Sequence, residues 1–447
     1  MHHRDRTEQY LTGFWDPAVE TADRASIERL QSERLREQVA YVHARAPFFQ
    51  ETFAKAGVRG SDVRRRDDLT ALPTFDKDQL RAFRERTGDP WAGTLCVPAS
   101  KLTVTIHSTG TSGRPNLYGL TESELDTVGD IFARAAFTAG LRPGDHTIFP
   151  GTTMWHGAFV GWHEAFQRMG VVKHVFGGQG QTTVIGQTLE MAPDLDAITA
   201  LFVYSPEAEI GVIQGAGVSV RETFPALRLI WSAADASPAR RRMAEDFFGV
   251  PFCNQYGSGD QFWMTGECPD NPGQVHVPED RIVFEVLDPD SLAPVPSGGT
   301  GLLHITNLWS ESFPYLRYNM EDMVTHDDTP CSCGRTSKRI VVKGRLAWSL
   351  RIPDGFVFSQ DVEAVLWEDD ALAGRTYQIV RARQQPQESV VVHVVRGGDA
   401  AADTAGAAAE RLRATFGVPF EVRFVGEDEI VGAGQGGKPV RVVDEPS

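Results

Sequence analysis

Two groups of residues have the types and spacing to do chemistry. The first is His107-Ser-Thr-Gly-Thr-Ser-Gly-Arg-Pro-Asn116, which crowds hydroxyls and glycines between a β-rich run and a helix start. Amides and hydroxyls in a flexible loop of this kind can surround a phosphate chain. It is not a Walker loop, because Gly110 and Gly113 stand only three apart and no Lys-Ser/Thr pair follows. A solvated turn has the same composition, so the loop alone leaves both readings open. The second group is Cys268-x7-His276 with Cys331-Ser-Cys333. Three thiols and one imidazole suit a closed, structural tetrahedral Zn²⁺ site, which would tie the loop after Asp260 to the one after Asp322. The spacing departs from a standard finger, and scattered core cysteines with a core His are the alternative. Cys96 and Cys253 read as packed thiols.

The elements that must position these groups follow from periodicity. Residues 25–56 are helical, with Ile27, Leu30, Leu35, Val39 and Val42 at spacings of three to five until Pro47-Phe48-Phe49 interrupts. A second helix starts near Phe75-Asp76-Lys77, where Asp can cap. From 100 to about 235, strand candidates Leu102–Ile106, Thr147–Pro150, Val171–Phe176, Ala200–Tyr204 and Leu227–Ser232 alternate with helical stretches. That alternation predicts an α/β body with largely parallel sheets, whose ligands sit off the carboxyl ends of the strands. Residues 281–306 are β-rich around Pro296-Ser-Gly-Gly-Thr300, predicting a hairpin or small barrel. After Gly344-Arg345 a compact module is expected: strand 348–352, helix 359–367, strands 377–381 and 389–395, an Ala-rich helix 400–415 and strand 420–424. About 100 residues can form an independent lid.

Bulk properties narrow the classes. A chain of 447 residues exceeds what one core usually supports, and 41% hydrophobic with 23% charged residues suits a soluble globular protein. A net charge of −16 argues against a general nucleic-acid or anionic-membrane surface. No run of about 18 apolar residues occurs, and the first residues lack the apolar core of a secretory signal, so a cytoplasmic enzyme is expected. Five cysteines do not make a disulfide scaffold.

Five separated pieces occur in an order that resembles one family. Ser108-Thr-Gly-Thr-Ser-Gly-Arg-Pro115, the turn Asn254-Gln-Tyr-Gly-Ser-Gly-Asp260, Arg317-Tyr-Asn-Met-Glu-Asp322, Gly344-Arg345 and Gly437-Lys-Pro-Val-Arg-Val-Val-Asp444 resemble the adenylate-forming enzymes, most closely the phenylacetate–CoA ligase branch. Ala46-Pro-Phe-Phe49, Ala56-Gly-Val58 and Leu72-Pro73 with Lys77-Asp-Gln-Leu80 resemble its N-terminal region, so nearly the whole chain is covered. The resemblance implies a large multi-subdomain N-terminal adenylation domain, residues 1–344, with mainly parallel sheets and a small β-barrel-like part. A small mobile α+β C-terminal lid, residues 345–447, would follow a hinge near Arg345. It implies attack of a carboxylate on the α-phosphate of ATP, giving an acyl-adenylate and pyrophosphate, then transfer to the thiol of CoA.

Such chemistry needs positive charge and donors around the transferring phosphoryl group. By the resemblance, Ser108, Thr109, Gly110, Thr111, Ser112, Gly113 and Arg114 surround the β and γ phosphates. Asp260 helps hold Mg²⁺ where relatives usually have Glu, one methylene longer. Asp322 accepts bonds from the ribose hydroxyls. Tyr256, within Asn254, Gln255, Gly257 and Ser258, stacks on adenine, whose edge Ser232, Ala233, Ala234 and Asp235 follow. Lys438 swings in to bridge carboxylate and α-phosphate; catalysis is assigned to Lys438, Asp260 and Thr109, with Arg345 at the nucleotide. The acyl pocket is expected around Trp155, His156, Gly157 and Phe159, with Gly178 and Gly180 on the facing loop, and aromatics with a few polar groups suit a planar aromatic acid. Trp155, Phe159 and Trp162 serve equally well as core, and His163 as a structural imidazole. Relatives commonly carry an acidic pair after Gly344-Arg345, whereas this chain has Leu346-Ala-Trp348. That departure keeps open an amine or a carrier-protein thiol as acceptor; a non-catalytic nucleotide-binding homologue is a third reading. A zinc hydrolase needs an open metal position, which four protein ligands close. The sequence leaves a monomer and a homodimer equally open.

Overall fold

Helix signals in the first hundred residues are honoured in the computed structural model. It describes residues 13–107, 116–150, 157–176, 181–191, 196–233, 237–353, 355–382, 386–397, 402–432 and 440–445. Helix α1 (Arg24–Arg45) is capped by Asp23, which accepts from the Ser26 amide, and buries Ile27, Leu35, Val39 and Val42. It stops where Pro47 opens α2 (Pro47–Ala56), and α2 ends at Gly57 in the left-handed conformation at φ 67°. Helix α3 (Lys77–Thr87) starts from a reciprocal cap: Asp76 accepts from the Gln79 amide while Gln79 accepts from the Asp76 amide.

Strands β1 (Leu102–His107) and β2 (Leu117–Thr121) pair antiparallel, with His107 opposite Leu117. The expectation that Leu102–Ile106 opens the parallel sheet is corrected, since this pair is a separate two-stranded ribbon. The alternation Leu-Thr-Val-Thr-Ile carries the reason. It suits a ribbon with one wet face, whereas strands buried on both faces read as continuous apolar runs. Helix α4 (Glu122–Thr138) follows directly, capped by Thr121 and Glu124.

The α/β body then runs β3 (His146–Pro150), α5 (Gly157–Met169), β4 (Val172–Phe176), α6 (Gln181–Met191), β5 (Ala200–Phe202), α7 (Pro206–Ala216), β6 (Leu229–Ser232), α8 (Pro238–Phe248) and β7 (Phe252–Ser258). All ladders among these strands are parallel, in the order β4-β3-β5-β6-β7. At β7 the sheet changes direction. β8 (Trp263–Glu267) pairs with it antiparallel, and β9 (Val275–His276), β10 (Ile282–Leu287), β11 (Thr300–Asn307), β12 (Tyr318–Asp327) and β13 (Arg339–Arg345) extend the same sheet to eleven strands. The β-rich part is therefore an antiparallel continuation of the main sheet, because two-residue β9 pairs with both β8 and β13. The body's aromatic core lies under the parallel half, where Trp231 is fully buried, packs on Trp162 and Phe202, and donates to Thr147 Oγ1 at 2.8 Å. Truncating such a ring costs about 3–5 kcal/mol.

Beyond Arg345 the chain builds β14 (Leu350–Ile352), β15 (Gly355–Val357), α9 (Ser359–Leu366), β16 (Tyr377–Arg381), β17 (Val390–Val395), α10 (Ala402–Phe416), β18 (Phe420–Val425) and β19 (Val442–Asp444). A four-stranded sheet in the order β18-β17-β16-β19 packs on α9 and α10 around Val362, Ile379, Val392 and Leu412. This core joins the body through Ala239 and Met243 of α8.

Candidate active site

The strand at which the sheet changes direction carries the Asn254–Asp260 segment. It is extended as far as Ser258 rather than a turn throughout. Gly257 permits this, since a Cβ there would stand 2.2 Å from the Trp263 carbonyl oxygen on β8. Tyr256 packs edge-on against Trp263 and donates from its phenol to Asp322 Oδ2 at 2.6 Å. Asp322 lies on β12 directly opposite Arg345 on β13, whose Nε is 3.6 Å from Asp322 Oδ1. Three distant motifs thus share one patch. Burial and the neighbouring Asp322 carboxylate hold the Tyr256 phenol well above its usual range, so it stays a donor.

The patch has a fourth member that sequence reasoning did not assign. Glu321 adopts φ 62°, unusual for a side chain with a Cβ, and pairs with Lys77 at 2.6 Å and Arg345 at 3.6 Å. Lys77 belongs to the stretch resembling the family's N-terminal region, but only the tertiary contact gives it a partner. Arg345 also lies over the Trp348 ring, 5.6 Å from its centroid. The residues standing where relatives have an acidic pair form one 3-10 turn, Leu346–Trp348.

Three loop ends converge beside this patch. A Cβ on Gly157, the first residue of α5, would lie 2.0 Å from the Gly259 carbonyl oxygen and 2.4 Å from Ile106 Cδ1. The end of β1, the start of α5 and the turn after β7 are therefore in contact through a position only glycine can occupy. Asp260 sits in that turn, half-buried at the surface but closely surrounded by protein. Desolvation raises its pKa to about 6, against the opposing charges of Arg345 and His107. A crowded, desolvated carboxylate suits a divalent cation, which would restore its ionised form. Ser232, 1% exposed, ends β6, with Ala233 next to it.

Several expected site residues lie outside the described residues: Ser108, Thr109, Gly110, Thr111, Ser112, Gly113, Arg114, Trp155, His156, Gly178, Gly180, Ala234, Asp235 and Lys438. Others turn inward. Gln255 is buried and its Oε1 accepts from Trp162 Nε1 at 2.9 Å, so its side chain is committed to the core. The backbone N–H of Asn254 donates to Glu267 Oε2 at 2.7 Å. Phe159 is buried against Phe149 and Trp162, which places its ring in the core. His163 stands 3.2 Å from Lys173 Nζ, as a structural imidazole. Cys96 and Cys253 are buried thiols pushed up to about 12 by desolvation.

Cys268, His276, Cys331 and Cys333 do come together, with one ligand atom from each within 4.8 Å of all the others. Cys268 and Cys331 sulfurs are 3.6 Å apart, and Cys333 Sγ is 3.4 Å from His276 Nε2. Metal–sulfur bonds of about 2.3 Å and metal–nitrogen bonds of about 2.0 Å at tetrahedral angles imply edges of about 3.8 and 3.5 Å. The arrangement fits those edges. His276 Nδ1 faces Ser337 Oγ at 3.1 Å, which turns Nε2 towards the sulfurs. The hydrogen bond between Cys268 and Cys333 pushes the Cys268 thiol up and the Cys333 thiol down.

A parallel sheet that turns antiparallel at the strand bearing Tyr256, with Asp322 bonded to that tyrosine and Arg345 opposite Asp322, is the arrangement expected of an adenylate-forming enzyme. The phenylacetate–coenzyme A ligase of Thermus thermophilus is 31% identical over 380 residues, 83% of this chain and 82% of that protein. The chain belongs to the phenylacetate–CoA ligase family, and it is an AMP-forming acid–CoA ligase. No protein-family model matches it. Among solved structures, 2-hydroxyisobutyryl-CoA ligase in the postadenylation state with 2-HIB-AMP superposes with a TM-score of 0.86 at 20% identity, over 97% of this chain and 92% of that one. The same enzyme in the thioesterification state, with CoA, superposes at 0.70 and 21% identity over the same shares. No helix among the described residues is long and apolar enough to cross a membrane.

Proposed function

We propose that the acid this ligase activates is aromatic and that its nucleotide is held by Tyr256, Asp322 and Arg345. A carboxylate oxygen of the acid bonds to the α-phosphorus of ATP while the bond to the bridging oxygen breaks, and that electron pair leaves with pyrophosphate. The CoA sulfur, having given up its proton, then bonds to the acyl carbon, and AMP departs with the electron pair of the broken bond. Asp322 would accept from the ribose hydroxyls, and Tyr256 would hold that carboxylate in place while offering its ring to adenine. Ser108, Thr109, Gly110, Thr111, Ser112, Gly113 and Arg114 would receive the leaving pyrophosphate, and Lys438 would bridge the carboxylate and the α-phosphate. Trp155, His156, Gly178 and Gly180 would line the acyl pocket. The observation supporting this reading is the meeting of Tyr256, Asp322 and Arg345 from three strands beside the loop ends at His107, Gly157 and Asp260.

Asp260 would hold Mg²⁺, which when bound neutralises charge on the phosphate oxygens. Cys268, His276, Cys331 and Cys333 would hold a structural Zn²⁺, four protein ligands leaving no open position. Residues 1–344 act as the adenylation domain and 345–447 as its lid, a division supported by the separate core beyond Arg345. A cytoplasmic location fits five cysteines that form no disulfide; the assembly would be a monomer or a homodimer. The test is acid-dependent exchange of labelled pyrophosphate into ATP across phenylacetate, benzoate and amino- and hydroxybenzoates. Exchange with at least one, lost in Lys438→Ala, is expected; no exchange with any, or an unchanged rate in that variant, overturns the reading.

A further inference from the structure

A second set of charges lies on the seam between the C-terminal module and the parallel half of the body. Glu363 of α9 has a side chain only 1% exposed; it accepts from Ser237 Oγ, and its Oε2 is 3.1 Å from Arg240 Nη2 of α8. The same Arg240 nitrogen is 3.1 Å from Glu207 Oε1, in the first turn of α7. Arg441 Nη2 donates to that same Glu207 oxygen at 3.1 Å. Glu207 and Arg240 belong to the body, Glu363 and Arg441 to the module. Each side therefore meets the other through one carboxylate and one guanidinium, and the four formal charges cancel. Arg441 is also held from within the module: its guanidinium lies 4.7 Å from the Tyr377 ring centroid, and its carbonyl accepts from the Ile379 amide at 2.8 Å. Two residues separate it from Lys438.

We propose that Glu207 and Glu363 are positioning residues for the adenylation half-reaction. They dock Arg441, and with it the strand following Lys438, against the body while acid meets ATP, and they release it before CoA attacks. The inference rests on the ligase reading above and on the better superposition with a postadenylation state, TM-score 0.86, than with a thioesterification state, 0.70. Its physical basis is the low dielectric of the seam. There, removing one carboxylate leaves two guanidiniums facing each other with one counter-charge, a penalty that exists only in the docked arrangement. Undocked, Arg441 reaches water. A carboxylate-to-amide change therefore shifts the population away from the arrangement that adenylates without touching the reacting atoms.

The test uses the full-length protein and the variants Glu207→Gln and Glu363→Gln. Hydrogen exchange without substrates should quicken at residues 237–248 and 359–366 and stay unchanged in β17 and β18. Pyrophosphate exchange, with whichever acid of the panel supports it, should fall tenfold or more. Thioester formation from supplied acyl-adenylate and CoA should not slow, and Glu207→Asp should recover part of the adenylation rate. Unchanged hydrogen exchange at the seam, or half-reactions that are both intact or both lost, overturns the proposal. Absence of pyrophosphate exchange in the unsubstituted enzyme overturns the ligase reading instead, and hydrogen exchange still decides the docking.

Discussion

The phenol of Tyr256 donates a 2.6 Å hydrogen bond to Oδ2 of Asp322, joining the strand at which the sheet changes direction to β12, whose neighbour β13 carries Arg345. The two residues are 66 apart in sequence. Removing only the hydroxyl, in Tyr256→Phe, loses about 1 kcal/mol of positioning, so KM for ATP should rise about fivefold with little change in melting temperature. Asp322→Ala removes charge-assisted bonds worth about 1.5–3 kcal/mol and should cut kcat/KM for ATP roughly ten- to hundredfold. Steady-state kinetics on both variants decides this, and equal effects would refute the division of roles.

Asp260 makes a prediction with a definite sign. Its folded-state pKa of about 6 lies above the ordinary 3.8, so the folded protein binds this proton more tightly than the unfolded chain does. Without added magnesium, its contribution to stability is fully present below pH 3.8 and declines as pH rises to about 6, then levels off. Asp260→Asn should abolish that difference in slope and melt higher at pH 7, while pyrophosphate exchange drops. In the unsubstituted enzyme the magnesium needed for half-maximal exchange should increase as pH falls below about 6, because protons compete for the same oxygens.

Metal analysis should find one zinc per chain. Cys331→Ser should lose it and melt at lower temperature, whereas Cys96→Ser, a thiol outside the cluster, should keep it. With free zinc a thousandfold above its dissociation constant, the lost stabilisation is about 4 kcal/mol. Retained stoichiometric zinc with unchanged stability in Cys331→Ser would refute the structural site.

Gln255 should behave as a core residue despite its place in a nucleotide-binding motif. Gln255→Leu strands the buried Trp162 N–H, at a cost of about 1–3 kcal/mol. A lower melting temperature is expected, with KM for ATP of the folded fraction within about twofold. A large KM change at constant stability would show that the amide faces the nucleotide instead.

Much of the fold was legible because it is written in local chemistry. The helix start at Asp76, the stop at Pro47 and the strands of the C-terminal module follow from a cap, a proline and period-two patterns that act over a few residues. The β1–β2 ribbon was misread as sheet because period-two patterning specifies a strand but not its partner, which is chosen by burial on the second face. The segment read as a turn became strand β7 for a related reason: Gly257 admits the β8 backbone, and only the neighbouring strand shows that space being used.

By itself the sequence determined the class of protein, the order of its motifs and the four residues of the Cys/His cluster, since each depends on residue identity and spacing along the chain. Only the tertiary structure decided which side chains share a patch. Register across β12 and β13 sets Arg345 opposite Asp322, burial turns Gln255 and Phe159 to the core, and docking of the C-terminal module brings Arg441 to Glu207. Those pairings depend on how sheets register and surfaces close, over separations at which the sequence carries no local signal.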